Sequence, residues 1–319
     1  MKKVLQHLLA GCFLLVCLLV ISPASKVEAY GLTQTGIGKD SVTISWTPEE
    51  RATKYYVYVG ESYDKTRLYA TLAPAQFTGS VTISGLPAGC KKFVKVEYDY
   101  SSAYSSTINH SMVGSLYDAV TLPGKVTGLK QERWYYFINQ FNAVWTKQEG
   151  ATGYQYRVYT NTKKKKASGT LKSNYPNVSV SKISNSVVYS MQVRAYTVFN
   201  GKTYYGAWSN SSYFFTQPRI TKLKVSGSKL VVKWGKVGGA TGYDVYVSTK
   251  PTTGYKRVKS VGKSTYSATI SKLSGKKFSS KKKYYVYIVT KKKVGKVTHK
   301  SGRLYYWNTK SPVSSFGYF

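Results

Sequence analysis

The sequence predicts an all-β chain, three tandem antiparallel β-sandwiches behind an N-terminal signal peptide, and three observations carry that expectation. One pattern (Trp, five residues, Ala-Thr, one residue, Tyr) begins at Trp46, again at Trp145 and again at Trp234. The tryptophans stand 99 and 89 positions apart, the size of an independently folding domain and far longer than a solenoid repeat. Around each of them apolar and polar residues alternate with the period of two that a half-buried strand requires, without helical periodicity.

The signal peptide is read from Met1 to Ala29. Lys2 and Lys3 open the chain, Leu8 to Ile21 is an unbroken apolar run, and Val27 to Ala29 suits cleavage before Tyr30. Fourteen apolar residues fall short of the ~20 that a spanning helix needs, so an uncleaved anchor is disfavoured and no other segment could cross a membrane. Leu9 to Cys12, LAGC, has the form of a lipobox, but cleavage there would leave Phe13 to Ile21 at the new terminus, where lipoproteins usually carry a polar tether. Cleavage before Tyr30 removes Cys12 and Cys17 and leaves Cys90 as the single thiol, so no internal disulfide can form. With no histidine nearby, Cys90 reads as a half-buried small residue rather than a reactive thiol.

Three modules follow, at 30–122, 123–217 and 218–319, the last strongly basic. Val42, Ile44 and Trp46 share one strand face, as do Leu230, Val232 and Trp234. In the next strand Tyr243, Val245 and Val247 point inward, with Asp244 and Tyr246 outward. Tyr189, Met191, Val193 and Ala195 alternate with polar neighbours, and Asn200-Gly201 then supplies a tight hairpin turn, with Gly295 at the same offset in the third copy. Each junction carries a proline, Pro123 or Pro218, without a Gly/Ser-rich tract, so strand passes nearly directly to strand and a semi-rigid rod is expected.

These residues resemble the fibronectin type III family: a Trp on the second strand, ATGY leading into the third, and an apolar residue six positions before a Tyr near the sixth. The resemblance implies immunoglobulin-like sandwiches, and it implies a tyrosine corner at Ile183 and Tyr189, with the phenol tied to an upstream backbone group. It is similar to extracellular modules of secreted and surface proteins of bacteria, a fold that carries no single function. The pattern departs in two places. Leu273 lies eleven residues before Tyr284, which implies an insertion, and the first copy offers Phe93, out of phase with inward Val94 and Val96.

Catalysis is poorly provided for, and an enzyme is not expected. Behind the signal peptide there are two histidines, His110 and His299, in different modules, and no His/Cys/Asp cluster has metal-ligand spacing. Asp244 is the only acid of the third module, whereas glycosidases use two. The first module's Glu97 and Asp99 alternate outward with Lys95 and read as a solvated face. No cofactor is expected. Tyr55, Tyr154 and Tyr243 read as core, and the outward Tyr56, Tyr58, Tyr246, Tyr285 and Tyr287 as exposed aromatic ladders or cross-strand packing partners.

Charge is the informative feature. Residues 30–122 hold eight basic and eight acidic side chains, 123–217 thirteen and two, and 218–319 twenty-four and one. A gradient this steep points to a large anionic partner. The candidate polyanion-binding residues are Lys163, Lys164, Lys165 and Lys166 in the second module and, in the third, Lys276 and Lys277, then Lys281, Lys282 and Lys283, then Lys291, Lys292, Lys293 and Lys296. Lys281 to Lys283 should precede a strand and Lys291 to Lys293 should flank the hairpin after it, about 23 Å apart and beyond the ~8 Å screening length, so only a long partner engages both. The expected function is extracellular binding or adhesion, with an anionic cell-wall polymer such as teichoic acid, or an anionic glycan, held by the basic C-terminal module. A protein partner at the N-terminal module is compatible with that arrangement. The alternatives are a structural spacer or accessory subunit of a secreted complex and an extracellular nucleic-acid binder, the latter disfavoured because no recognition helix or groove signature is present.

Overall fold

A computed structural model of the chain describes residues 31–102, 107–135 and 139–319. The signal-peptide reading, including Cys12, Cys17 and Tyr30, falls outside the described residues. What is described is built from strands, with two short 3-10 turns.

Three hydrophobic cores follow one another along the chain, each between a three-stranded sheet and a larger one. In the first sandwich the strands Thr33–Ile37, Val42–Ser45 and Ser80–Ile83 face a four-stranded sheet ordered Thr66–Leu72, Ala52–Gly60, Lys91–Ser101, Ile108–Val120. The second sets Asn177–Val180, Gln140–Val144 and Lys130–Tyr135 against Lys165–Leu171, Gly153–Thr160, Tyr189–Phe199 and Lys202–Tyr205, with Ser212–Phe214 also pairing to Tyr189–Phe199. The third sets Ile220–Ser226, Lys229–Trp234 and Ser267–Ile270 against a sheet of six. That sheet runs Lys256–Gly262, Gly242–Ser248, Tyr285–Val294, Tyr305–Asn308, Gly317–Tyr318, with Val297–Lys300 folded back on Tyr285–Val294. Pairing between successive strands is antiparallel throughout, so each strand offers alternate residues to its core, the arrangement expected of immunoglobulin-like sandwiches.

The repeated pattern fills equivalent core positions. Trp46, Trp145 and Trp234 are at most 5% exposed and meet Tyr55, Tyr154 and Tyr243 edge to face at 5.7, 5.1 and 5.7 Å between ring centroids. Each of these tyrosines also keeps its hydroxyl satisfied. Tyr55 accepts a hydrogen bond from the backbone N–H of Glu49, Tyr154 from Gln148 and Tyr243 from Val237, at 2.7 to 2.9 Å and always six residues upstream. The tyrosine therefore anchors the loop that leads into its own strand, which explains why it accompanies the tryptophan in every copy. Asn200 and Gly201 have φ of 48° and 72°, the doubly left-handed backbone of a tight hairpin, and Gly295 (φ 56°) turns the corresponding hairpin of the third sandwich.

Both departures acquire a structural reason. In the second sandwich the corner is formed as the resemblance implies, with Tyr189 Oη accepting the Ser184 N–H at 2.7 Å. In the third, Tyr284 Oη accepts the Ser279 N–H at 3.1 Å, and the apolar residue six positions back is Phe278, not Leu273. The insertion is the small hairpin Lys272–Leu273 to Lys276–Lys277, turned by Ser274 and Gly275 at φ 51° and 81°. In the first sandwich Phe93 is buried on the outer sheet face, edge to face with Tyr63 and Tyr117 at 5.8 and 4.8 Å. Its phase is correct for an outward position whose exposure is removed by neighbours.

The junctions are contacts rather than free linkers. Gly150 donates its N–H to the Gly89 carbonyl at 3.0 Å, and a Cβ at Gly150 would stand 2.3 Å from the Cys90 carbonyl oxygen. At the second junction Val188 donates to Gly238 at 2.8 Å, Gly238 donates to Ser186 at 2.7 Å, and a Cβ at Gly239 would lie 2.5 Å from that of Asn161. Gly150 and Gly239 occupy the same place in the repeat, five residues after the tryptophan, where the first copy has Arg51. The second junction is further sealed by Gln217, 1% exposed, whose side-chain Oε1 accepts the N–H groups of Leu304 and Tyr305, each at 2.7 Å. Val188 and Phe215 pack into the third core itself.

Candidate functional site

The candidate lysines fall into three surface groups. Lys281, Lys282 and Lys283 are exposed in the loop before Tyr285–Val294, beside exposed Lys276 and Lys277 of the inserted hairpin. Lys310 joins them, its ammonium donating to the Ser280 carbonyl at 2.5 Å, a member that spacing alone did not reveal. Lys163 and Lys164 are exposed in the turn between Gly153–Thr160 and Lys165–Leu171, with Lys163 in the left-handed region at φ 62°, and exposed Lys165 and Lys166 open the second of these strands. Lys291, Lys292 and Lys293 lie at the end of the strand Tyr285–Val294 and flank its hairpin as expected, while exposed Lys296 sits in the turn that follows.

Lys291 is withdrawn from the set. Its ammonium bonds Asp244 Oδ1 at 2.8 Å and Ser260 Oγ at 2.7 Å, and its side chain is 19% exposed. Asp244 is outward as expected, yet its side chain is 1% exposed, because Gly242–Ser248 is flanked by the lysine strand on one side and by Ser260 on the other. Desolvation raises the Asp244 pKa, but hydrogen bonds from Lys291 and Ser260 and the charges of Lys291 and Arg257 outweigh it and hold the carboxyl below its ordinary value. The sole acidic side chain of residues 218–319 is therefore out of reach of solvent, so that region presents basic side chains with no acidic side chain among them.

Lys292 and Lys293 instead line, together with Lys163 of the second sandwich, a cleft of about 360 Å³ at the second junction that is also lined by Thr160, Ser190 and Ser211. Sequence spacing could not pair them, since they are about 130 positions apart and are brought together only by docking of one sandwich on the next.

Of the two readings of the outward tyrosines, cross-strand packing is the one that Tyr246 and Tyr287, paired across neighbouring strands, adopt. Tyr246 and Tyr287 stack at 4.7 Å with planes 3° apart, and Tyr255 and Phe319 close over Tyr287, leaving it 6% exposed. Tyr285 packs edge to face on Tyr306 at 5.6 Å. In the first sandwich Tyr56 donates to Asp99 Oδ2 at 2.7 Å. Lys95 pairs with Glu97 at 2.7 Å, and His110 bridges Asp99 at 2.8 Å and Glu97 at 3.3 Å. The expected solvated face is thus a closed network, with Glu97 and Asp99 side chains only 16% and 22% exposed. The hydrogen bond to Asp99 leads the causes that raise the His110 pKa, with Glu97 adding to it.

A stack that the sequence did not disclose lies on the second sandwich. The Arg157 and Arg194 guanidinium carbons stand 4.1 and 4.7 Å from the Trp208 ring centroid, and Arg194 also stands 4.1 Å from that of Tyr205. Each arginine is oriented by a fork to a glutamine carbonyl, Arg157 to Gln192 and Arg194 to Gln155. Among the described residues no group of three or more His, Cys, Asp or Glu could hold a metal ion, and no helix is long and apolar enough to cross a membrane. Cys90 is a free, half-buried thiol whose Sγ accepts from the Thr121 hydroxyl at 3.6 Å.

No family model matches the sequence, and a search of curated proteins returns no match. Solved structures do show similarity. The FN1–FN3 domains of chicken CNTN1 align over 87% of this chain and 96% of their own, at 13% identity and a TM-score of 0.38. A two-domain fibronectin type III segment of chicken tenascin covers 58% of this chain and 97% of its own, also at 13% identity, with a TM-score of 0.31. The fold seen here is of the fibronectin type III kind on its own strand order and cores.

Proposed function

We propose that this chain is a non-enzymatic extracellular binding protein that attaches through its basic third sandwich to an anionic polymer, cell-wall teichoic acid or an anionic glycan. The observation that carries the reading is the concealment of Asp244. Residues 218–319 have twenty-four basic side chains and one acid, and that acid is buried against Lys291. A polyanion laid on this surface meets no acidic side chain and releases its counterions to exposed lysines, which makes binding favourable and strongly salt-dependent.

The first sandwich is neutral in sum and its paired acids and bases neutralise one another locally. It exposes Leu68, Ile108, Met112 and Tyr117 instead, which supports a different partner, a protein, at that end. Secretion is part of the same proposal and is supported by the signal-peptide reading of residues 1–29.

The test is retention of the full chain on teichoic acid, heparin and DNA columns as salt is raised. Changing Lys276, Lys277, Lys281, Lys282 and Lys283 to Gln should lower the slope of log affinity against log salt by about 3.5, at about 0.7 per lysine in contact. A slope unchanged by the five substitutions refutes attachment through this sandwich, and preferential retention by DNA would replace the glycan or teichoic acid by nucleic acid.

A further inference from the structure

We propose that the cleft between the second and third sandwiches is a discrete site for one phosphate- or sulfate-bearing unit of such a polymer. The inference rests on the polyanion reading above and adds a defined seat to what would otherwise be diffuse attraction.

Size and chemistry agree. About 360 Å³ is room for a single sugar or polyol residue with its anionic group, at the lower end of small-molecule sites. Lys163, Lys292 and Lys293 line it, and no Asp or Glu does. Lysines from both sandwiches border this space without an acidic side chain to neutralise them, and Lys serves phosphate and sulfate as a point charge. The hydroxyls of Thr160, Ser190 and Ser211 line the same space and can donate to the remaining anion oxygens or to the hydroxyls of the attached sugar.

Both walls are held in place. Lys163 is fixed in its left-handed turn, where its N–H donates to the Thr160 carbonyl at 3.0 Å and the Thr160 N–H donates to Lys164 at 2.8 Å. Across the cleft Thr241 donates its N–H to the Lys291 carbonyl at 2.8 Å and its hydroxyl accepts the Lys293 N–H at 2.8 Å. The distance between the walls is set by Gly239, which seats on Asn161 where no Cβ would fit, and by the Tyr213 and His299 rings, 5.0 Å apart. An anion held by lysines of both walls binds only the docked arrangement and therefore stabilises it.

The experiment is calorimetric titration of the full-length chain with a glycerol phosphate trimer, a sulfated disaccharide and inorganic phosphate. Saturable binding of one organic probe per chain is expected, and whichever of the two binds at least tenfold more tightly identifies the polymer's anion. Lys163→Gln, Lys292→Gln and Lys293→Gln together should weaken that binding at least a hundredfold, at roughly tenfold per charge-assisted contact. Lys222→Gln, Lys224→Gln and Lys229→Gln together remove the same charge from exposed positions outside the candidate set and should change it less than threefold. Gly239→Ala keeps every lysine and should weaken binding at least tenfold by unseating the walls, with far-ultraviolet dichroism reporting that the sandwiches remain folded. Equal loss from both lysine triples, or no saturable binding of any probe, overturns the proposal. The failures are separable: a chain that retains long polymer with its full salt slope but ignores the short probes has lost the cleft alone. One that saturates with a short probe but does not retain polymer has lost the polymer reading alone.

Discussion

Lys291→Met tests the division of the third sandwich's lysines into one structural residue and many free ones. The substitution keeps the aliphatic stem and removes the ammonium that bonds Asp244 Oδ1 at 2.8 Å, leaving a carboxylate 1% exposed with Ser260 and, 3.8 Å away, a half-exposed Arg257. Breaking a buried pair by removing one partner costs about 3 to 5 kcal/mol. The retained partners and the partial exposure of Lys291 reduce this to about 2 to 3 kcal/mol, or about 10 to 20 °C for a domain of this size. The assay is thermal unfolding followed by tryptophan fluorescence, with the loss confined to the transition of the third sandwich. pH supplies the control. Asp244 has its carboxyl held below its ordinary value in the folded state, so its contribution is present above the unfolded pKa near 3.9 and is lost as pH falls through the folded value. The gap between wild type and Lys291→Met should therefore narrow as the medium is acidified past that point. Polymer retention should keep its salt slope, because this lysine is already neutralised. Wild-type stability combined with a flattened salt slope would show that Lys291 is a ligand cation and that the Asp244 pair is incidental.

Other expectations follow from the same geometry. Trp234→Ala should destabilise the third sandwich by about 3 to 5 kcal/mol, read by chemical denaturation, since the ring is 3% exposed in the core. Tyr189→Phe should cost about 1 to 3 kcal/mol in the second sandwich by leaving the Ser184 N–H without its acceptor, measured by the same method. The folded-state pKa of His110 is raised, chiefly by its hydrogen bond to Asp99, so its contribution is full below the unfolded value near 6.5 and lost as pH rises through the folded one. His110→Gln should abolish that loss in a pH titration of the first sandwich's melting temperature.

Fold was legible because burial of alternate residues leaves a signature in composition: Val42, Ile44 and Trp46, or Tyr243, Val245 and Val247, are the residues that the cores contain. The candidate site was legible only in part. Lysine runs identify regions of charge, but whether a lysine is free depends on what stands across the strand, and nothing near Lys291 in sequence indicates that Asp244, 47 positions away, lies beside it. Outward phase alone left Tyr287 open between exposure and cross-strand packing for a similar reason. Tyr255 and Phe319 come from distant parts of the chain to cover it. Leu273 misled because an inserted hairpin displaces the apolar partner of Tyr284 to Phe278, and counting back from the tyrosine, rather than forward from the strand, finds it. Gly150 and Gly239 stood in the aligned repeat all along, yet their meaning depends on a neighbour that alignment of isolated copies does not show.

Those two glycines bear on how such arrays can be rearranged. A sandwich with glycine five residues after its tryptophan is shaped to follow another, since only a residue without a side chain admits the preceding loop at that point. The copy with Arg51 there cannot accept a predecessor in the same pose without a collision. The order of the modules is thus written into the chain one residue at a time, and exchanging the first sandwich with the second would leave each internally sound and the string misassembled. In recombination of these genes, the unit that can be moved freely is a sandwich together with the loop it rests on, not the sandwich as its cores delimit it.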